Sequence, residues 1–325
     1  MASGANPSAN KCLFDDHLLQ AIGIKKDTSA GRDDCSYIDM FAGKQGQATY
    51  IKMFVPEEGL FEPMEKPKSG DWLKEHTERG QTFKQFITGS YRSPDSVHKT
   101  VYLLPMVFKE DPVPPEVIAP LERFAAIFFG MPASVMAPES FLGRASDRVN
   151  AGVYQVHAGE LLGAMGKNLK RDAFCCAGIT MADLYPRESW NFVFGLASSA
   201  GNTGVYSLAR YLSNFGDHQY TRIDLTRDPL SVILVRACKT MCHEIGHMFG
   251  IRHCVHFKCL MNGSNHLAES DGRPNFLCPV CLRKLQHACR FDVVKRYRDM
   301  REFWSEQRVP TLTDWLDRRL STLTC

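Results

Sequence analysis

The residues with the clearest chemical potential lie together in the stretch MCHEIGHMFGIRHC, which has the spacing HExxHxxGxxH. His243 and His247 are four positions apart, so on a helix both imidazoles face the same metal ion. Glu244 is rotated off that face and can reach a water on the metal without binding the ion itself. Gly250 can adopt the left-handed conformation that ends a helix, and the chain can then return His253 as a third ligand. The spacing therefore predicts a catalytic zinc site with Glu244 as its base.

Four cysteines at the end of this stretch and beyond it predict a second metal site of a different kind. Cys254 and Cys259 have the spacing CxxxxC, and Cys278 and Cys281 have the spacing CxxC. Two close pairs of thiolates are typical of a closed structural zinc site, in which no position remains for water or substrate. Two disulfides or four ordinary buried cysteines are the alternative interpretations. Because Cys254 directly follows His253, loss of the structural ion should also loosen the third catalytic ligand.

Taken together, the two motifs resemble those of the archaemetzincins, a family of zinc metallopeptidases in the metzincin clan. The resemblance is carried by HExxHxxGxxHC, the following CxxxxC, a nearby methionine and the distant CxxC. Residues 178–186 and 190–195 also resemble segments of that family, and the likeness extends over about residues 99–285. The length of 325 residues suggests the shorter of its two vertebrate forms. The resemblance implies two zinc ions per chain, one catalytic and one structural.

The resemblance also gives Met261 a structural role. Metzincins have a methionine turn beneath the metal, and Met261 in the segment CLMNG lies where that turn belongs. Without the resemblance, Met261 would be interpreted as an ordinary core residue. No tyrosine lies two positions after Met261, where astacin-like enzymes place a transition-state donor. The group that stabilises the oxyanion therefore stays open.

Composition predicts a soluble enzyme without a membrane or nucleic-acid partner. No window approaches the roughly 18 apolar residues of a membrane span, and the first 20 residues lack the pattern of a signal peptide. The net charge of +3 is too small and too evenly spread to imply nucleic acid or an anionic membrane. We expect a monomer that acts on peptides or proteins inside the cell, in the cytoplasm, with the nucleus as a second location.

Eight of the 12 cysteines lie outside the predicted metal site. Because the length and the absence of a signal pattern do not fit a small secreted domain, these cysteines are expected to be reduced and mostly buried. They are Cys12, Cys35, Cys175, Cys176, Cys238, Cys242, Cys289 and Cys325.

The expected fold class is α/β (α+β), with a metzincin-like mixed twisted sheet, a buried active-site helix and a mostly helical C-terminal part. We predict an N-terminal extension of unknown role at residues 1–96, a catalytic domain with both zinc sites at 97–290, and a C-terminal helical extension packed on it at 291–325. Strands are expected at residues 99–107, 134–137, 173–180, 191–198 and 203–211. Helices are expected at 121–129, 146–169, 282–307 and 312–323, with one or two more within 72–86. Connections are expected at 111–120 and 183–187.

Two elements bear directly on the predicted site. Residues 204–211 are the candidate for the edge strand that binds extended substrate by adding a strand, and an interior strand is the alternative. The active-site helix is expected to start with Asp228 as its N-cap and Pro229 in its first turn. Residues 230–235 are apolar nearly all round, which predicts a buried helix. Asp224 and Asp228 could instead accept a hydrogen bond from a ligand imidazole, although capping is the preferred role of Asp228.

The predicted function is zinc-dependent hydrolysis of peptide bonds, with aminopeptidase action left open as its mode. A zinc-stabilised scaffold without catalysis is one alternative, but such a protein has no use for a base at Glu244. A nucleic-acid or protein-binding module is another, because paired cysteines also build zinc ribbons. The adjacency of Cys254 to His253 argues against it. The remaining histidines weighed as ligands are not expected to bind metal; they are His157, His218, His256 and His266.

Overall fold

A computed structural model describes residues 14–27, 37–41, 51–109, 112–198 and 201–324. The helices are α1 (Asp16–Ile22), α2 (Trp72–Glu75), α3 (Phe83–Thr88), α4 (Pro115–Phe129), α5 (Ala158–Gly166), α6 (Leu230–Met248), α7 (Leu267–Gly272), α8 (Pro279–Cys289), α9 (Val293–Glu306) and α10 (Pro310–Thr324). The strands are β1 (Ile24–Lys26), β2 (Tyr37–Asp39), β3 (Thr100–Val107), β4 (Ala133–Val135), β5 (Glu139–Ser140), β6 (Asp147–Asn150), β7 (Val153–His157), β8 (Ala173–Thr180), β9 (Asp183–Tyr185), β10 (Gly195–Ala197) and β11 (Thr203–Ser207).

The central sheet has the strand order β10-β11-β8-β3-β4, and β5 also pairs with β3. Strands β11, β8, β3 and β4 run parallel, while β10 is antiparallel to β11. Every residue of β8 is buried, as expected for a parallel strand covered on both faces. The smaller sheet has the order β6-β7-β9. This architecture confirms the predicted α/β class with a mixed sheet, and β3 confirms the strand predicted at residues 99–107.

The buried active-site helix is also confirmed. Helix α6 packs against α4 on one side and against β10 and β11 of the sheet on another. Its second half is buried almost without interruption, and it ends where Gly250 adopts a φ of 91°, as its sequence position predicted. Burial on several sides fixes the side chains of α6 on a rigid element. None of the helices in the described ranges has the length and apolar character of a membrane-spanning segment.

The edge strand was predicted in the wrong place. Residues 204–211 contribute to β11, which lies inside the sheet between β10 and β8, and the chain then forms a 3-10 helix at Ala209–Tyr211. All residues of β11 are buried, because strands cover both of its edges and helices cover its faces. The edge is β10, which lies within the strand predicted at residues 191–198. The edge strand on this side of the sheet is therefore β10.

The helix predicted at residues 146–169 is wrong in its first half. Residues 147–157 form the hairpin of β6 and β7, and only α5 is helical. The chain turns through Ala151 (φ 49°) and Gly152 (φ 81°), a two-residue turn with positive φ that suits a hairpin. Some of the apolar residues whose spacing suggested a helix instead lie in these two strands.

The helix predicted at residues 282–307 is two helices. Helix α8 ends because Arg290 adopts a left-handed φ of 61°, and α9 begins where Asp292 accepts a hydrogen bond from the Lys295 amide at 2.9 Å. A glycine at this position would have predicted the end of a helix, but Arg290 does not. The sequence therefore predicted a single helix.

Smaller corrections concern connections. Helix α4 starts at Pro115, inside the segment 111–120 that was predicted as a connection, because a proline fits the first helical turn. Residues 183–187 contain the strand β9 rather than only a turn. The predictions of two helices within 72–86, of a helix at 312–323 and of strands near 134–137 and 173–180 are confirmed by α2, α3, α10, β4 and β8.

The segments before β3 and after α8 both contact the middle of the chain. The Arg92 amide donates to the Phe249 carbonyl at 3.1 Å, just beyond the end of α6. In α9, the Arg296 Nε donates to the Phe128 carbonyl of α4 at 2.6 Å. The division into residues 1–96, 97–290 and 291–325 stays a prediction.

Candidate zinc centres and active-site cleft

Three histidines predicted as ligands lie together at the end of α6. His243 and His247 project from the helix, and His253 returns on the loop that follows Gly250. One ring nitrogen from each lies within 4.8 Å of the others. The Nε2 atoms of His243 and His247 are 3.0 Å apart. The structure thus brings the predicted catalytic ligands to one point.

The hydrogen bonds of the first two histidines suit metal binding. His243 Nδ1 lies 3.0 Å from the Leu260 carbonyl, and His247 Nδ1 lies 2.7 Å from the Ile251 carbonyl. A carbonyl can only accept, so each Nδ1 carries the proton and each Nε2 presents a lone pair. Burial lowers the pKa of His247 to about 3 and that of His243 well below its usual range, which favours neutral rings. Two lone pairs 3.0 Å apart fit a shared cation.

His253 has a different partner, which the sequence did not reveal. Its Nδ1 lies 2.8 Å from Oε1 of Glu78, a residue 175 positions away. The same oxygen accepts a hydrogen bond from Trp72 Nε1 at 3.0 Å. Glu78 belongs to the segment predicted as an extension of unknown role, and no motif marks it.

Glu244 lies beside the histidines, between α6 and the sheet edge. It is only 6% exposed and lines the same cleft as the three rings. Burial raises the pKa of its carboxyl to about 8, while the neighbouring Arg273 guanidinium lowers it. A Cβ at Gly195 of β10 would lie 2.5 Å from Glu244 Oε1, so the strand passes directly over the carboxylate. Only glycine leaves room for the acid in this position.

Replacing Gly195 by alanine should therefore displace Glu244. The added methyl group cannot coexist with the carboxylate at 2.5 Å, so the carboxylate or the strand must move. A misplacement of about 1 Å can cost on the order of 100-fold in rate, and we expect a loss of that order in kcat with zinc content unchanged. The matched control is Gly163→Ala in α5, where an added Cβ has no atom within 4 Å. An unchanged kcat in Gly195→Ala would show that the contact does not position Glu244.

The four predicted cysteine ligands also converge. Their sulfur atoms all lie within 4.8 Å of one another, and each side chain is buried. The Sγ atoms of Cys254 and Cys278 are 3.6 Å apart, too far for a disulfide of about 2.05 Å. Tetrahedral ligands at about 2.3 Å from zinc lie about 3.8 Å from each other, so the spacing fits that ion. Backbone amides of Met261 and Cys278 donate to Cys259 Sγ at 3.4 and 3.3 Å.

The remaining described cysteines form no disulfide, as predicted. They are Cys175, Cys176, Cys238, Cys242 and Cys289. Burial raises the pKa of Cys176 to about 12 and that of Cys238 well above its usual range, which makes both thiols inert. Cys12, Cys35 and Cys325 lie outside the described residues.

Met261 and Asn262 connect the two sites. Met261 is fully buried, and its sulfur would lie 2.7 Å from a Cβ at Gly246 of α6. Its carbonyl accepts from the Cys254 amide at 2.9 Å. The Asn262 side chain accepts from the Cys259 amide at 2.7 Å and donates to the Cys254 carbonyl at 2.7 Å. Asn262 escaped prediction because an asparagine in a loop carries no spacing signal.

Neither aspartate before α6 has its predicted role. Asp228 makes no cap hydrogen bond, since the N-cap is Pro229, and its carboxylate instead accepts from the amide and hydroxyl of Ser213 at 3.1 Å. Asp224 accepts from Thr226 in a local turn. Their carboxylates are occupied by these local partners, and the ligand imidazoles are instead hydrogen-bonded by Leu260, Ile251 and Glu78.

The other histidines lie outside both ligand sets. His157 and His266 each accept a backbone amide hydrogen bond as helix N-caps, of α5 and α7 respectively. His266 lies near Asp71 and Glu269, but Glu269 already accepts the Trp72 amide at 2.9 Å. His256 is buried beside Cys254, and His218 lies in a loop.

A cleft of about 1230 Å³ contains the histidines and Glu244. Its wall includes all of β10, the open edge of the sheet. Among the lining residues, Trp190 contacts Trp72, and it also stacks on His76, with ring centroids 6.3 and 5.4 Å apart. The charged side chains among the described residues that line the cleft are Glu78, Arg79, Arg187, Glu244, Arg252 and Arg273. An extended peptide paired with β10 would pass the histidines and the carboxylate.

Most of the chain is similar in sequence to known proteins. Residues 140–287 match the family model described as Peptidase family M54. Mouse archaemetzincin-2 is 41% identical over 269 residues, which cover 75% of each chain. Human archaemetzincin-1 is 30% identical over 306 residues, which cover 82% of this chain and 60% of that protein. The crystal structure of the archaemetzincin from Methanopyrus kandleri is 26% identical and covers 61% of this chain and 99% of that one, with a TM-score of 0.45.

Proposed function

Because the chain belongs to the archaemetzincin family of zinc metallopeptidases, we propose that Glu244 is the base with which it hydrolyses peptide bonds. The observation that carries the proposal is the position of the Glu244 carboxylate, held against Gly195 of β10 beside the histidine cluster. A substrate chain that pairs with β10 places its scissile bond between that carboxylate and the histidines.

The metal ligands follow from the donor sets. We assign His243, His247 and His253 to a catalytic zinc ion and Cys254, Cys259, Cys278 and Cys281 to a structural one. The three histidines leave a fourth tetrahedral position open for the reaction, whereas the four cysteines leave none. Met261 is assigned to the turn beneath the catalytic ion, as the resemblance implies.

The protein supplies the proton transfers. Zinc, when bound, provides a water of lowered pKa and polarises the scissile carbonyl. The Glu244 carboxylate takes a proton from the attacking water and later gives a proton to the leaving amine. Burial raises the pKa of Glu244 to about 8 and favours the protonated acid, while the Arg273 guanidinium opposes that rise and favours the ionised form that accepts the first proton. Burial of the carboxylate strengthens these electrostatic effects.

Aminopeptidase action is the mode we propose to test first. It requires a carboxylate for the free amine of the substrate. Among the described residues that line the cleft, Glu78 is the carboxylate not assigned as the base.

We also propose that the protein acts as a monomer in the cytoplasm.

The experiment is a peptide digestion with a metal control. The zinc-loaded protein is incubated with a mixed peptide library and the cut sites are mapped by mass spectrometry. We expect cleavage that stops on chelation and returns when zinc is restored. Matched peptides with free and acetylated amino termini decide the mode, since an aminopeptidase spares the acetylated set. No cleavage by fully zinc-loaded protein would contradict the peptidase proposal and favour a non-catalytic scaffold.

A further inference from the structure

We propose that Glu78 is a positioning residue for the catalytic zinc site and that Trp72 holds it in place. The pair orients His253, the ligand that does not lie on α6. The inference rests on the proposed function in that it takes His253 as a zinc ligand. It assigns a role to a segment that lies before the region matched by the family model, which starts at residue 140.

His253 needs such support more than the other two ligands do. His243 and His247 are fixed by a buried helix and by backbone carbonyls. His253 lies on the loop beyond the helix, and its side chain is 18% exposed. Its Nδ1 meets the Glu78 carboxylate at 2.8 Å. A carboxylate on Nδ1 fixes the tautomer and ring orientation and makes the opposite nitrogen a stronger donor to a metal.

Trp72 and its contacts hold Glu78 in this position. Trp72 Nε1 donates to Glu78 Oε1 at 3.0 Å, and the Trp72 ring meets the His253 ring edge-on with centroids 5.1 Å apart. A Cβ at Gly263 would lie 2.4 Å from Trp72 Cδ1, so the indole packs directly on the loop after Met261. The Trp72 amide is tied to Glu269 at 2.9 Å. The indole therefore has little freedom to move away from the site.

A second set of hydrogen bonds ties the same segment to the loop that carries His253. Gln81 Nε2 donates to the Gly250 carbonyl at 3.2 Å, and Gln81 Oε1 accepts from the Arg252 amide at 3.3 Å. The side-chain amide of Gln81 thus bridges the loop on either side of its turn. The segment 72–81 thus contacts the His253 side chain through Glu78 and the backbone next to His253 through Gln81.

The decisive measurement is zinc release from the histidine site. Zinc-loaded protein is mixed with a chromogenic chelator, and the rate and number of ions released are followed. Glu78→Ala should weaken the histidine site by about 10- to 100-fold, the usual effect of losing such a partner, while the cysteine ion stays bound. Glu78→Gln retains an acceptor oxygen and should lie between wild type and Glu78→Ala. Trp72→Phe should change release in the same direction by a smaller factor.

Controls separate positioning from stability. Glu75→Gln alters an exposed carboxylate of the same segment that accepts from the Gly70 amide, and it should release zinc as wild type does. Cobalt substitution adds a spectroscopic test, because the visible spectrum of cobalt in the histidine site should change in Glu78→Ala. Wild-type release and spectrum in Glu78→Ala would overturn the proposal, as would equal loss of both ions. The readout needs no substrate, so it decides the role of Glu78 even if no peptide is cleaved.

Discussion

Replacing Glu244 by glutamine should remove peptide hydrolysis while leaving the fold and the zinc content unchanged. Glutamine has nearly the same shape but cannot accept the proton of the attacking water or return one to the leaving amine. General acid and base catalysis contributes about 100- to 10,000-fold, so we expect kcat to fall by about 1000-fold or more. The thermal stability of the variant should equal or exceed that of wild type, because the buried carboxylate is costly to ionise.

The measurement is single-substrate turnover with metal analysis of the same samples. Glu302→Gln, an exposed carboxylate on α9, is the matched control and should retain wild-type turnover. An inactive His247→Ala protein purified in parallel shows whether a contaminating protease is present. With that excluded, full activity in Glu244→Gln would falsify the role of Glu244 as the base. Loss of activity together with loss of zinc would assign Glu244 to the structure of the site instead.

Replacing Cys281 by serine should release the structural ion and destabilise the chain. A structural zinc site contributes on the order of 10 kcal/mol of binding free energy, and three thiolates without the fourth hold the ion less well. A loss of about 5 kcal/mol would lower the melting temperature by roughly 10 °C or more. The histidine site should weaken as well, because Cys254 anchors the backbone next to His253 and hydrogen bonds to Met261 depend on that anchor.

Metal counting and calorimetry test this expectation together. Cys289→Ser changes a cysteine outside the cluster and should keep both ions and a melting temperature close to that of wild type. If Cys281→Ser also retains two ions and melts like wild type, the cysteine cluster is not a structural zinc site.

The convergence of the proposed ligands was predictable from the sequence because these residues are close together in the chain. Both donor sets lie between residues 243 and 281, and helical spacing or short loops bring their members together. The left-handed conformation of Gly250 was also predictable, because glycine is the residue type that adopts it most readily. The role of Glu78 could not be predicted from the sequence. Its contact with His253 joins residues 175 positions apart and depends on how residues 72–81 fold back onto the site.

Sheet position was harder to predict than strand existence. Strand β11 has the apolar composition of a buried strand, and its residues carry no sign of which neighbours cover its edges. The true edge, β10, has three residues in the ladder, and short edge strands give a weak periodic signal. Helix boundaries failed where backbone conformation departs from residue preference, as at Arg290, whose φ of 61° ends α8 without a glycine.

The hydrogen bonds of residues 72–81 bear on how the enzyme should be divided for experiments. A fragment that begins at residue 97 retains all seven proposed metal ligands, Glu244 and the strand β10. It would lack Glu78, Trp72 and Gln81, which contact His253 and its loop. Kinetic constants measured on such a fragment would describe a zinc site with a loosened ligand. We therefore expect that a fragment with the activity of the whole chain must begin before residue 72, well upstream of the two metal-binding motifs.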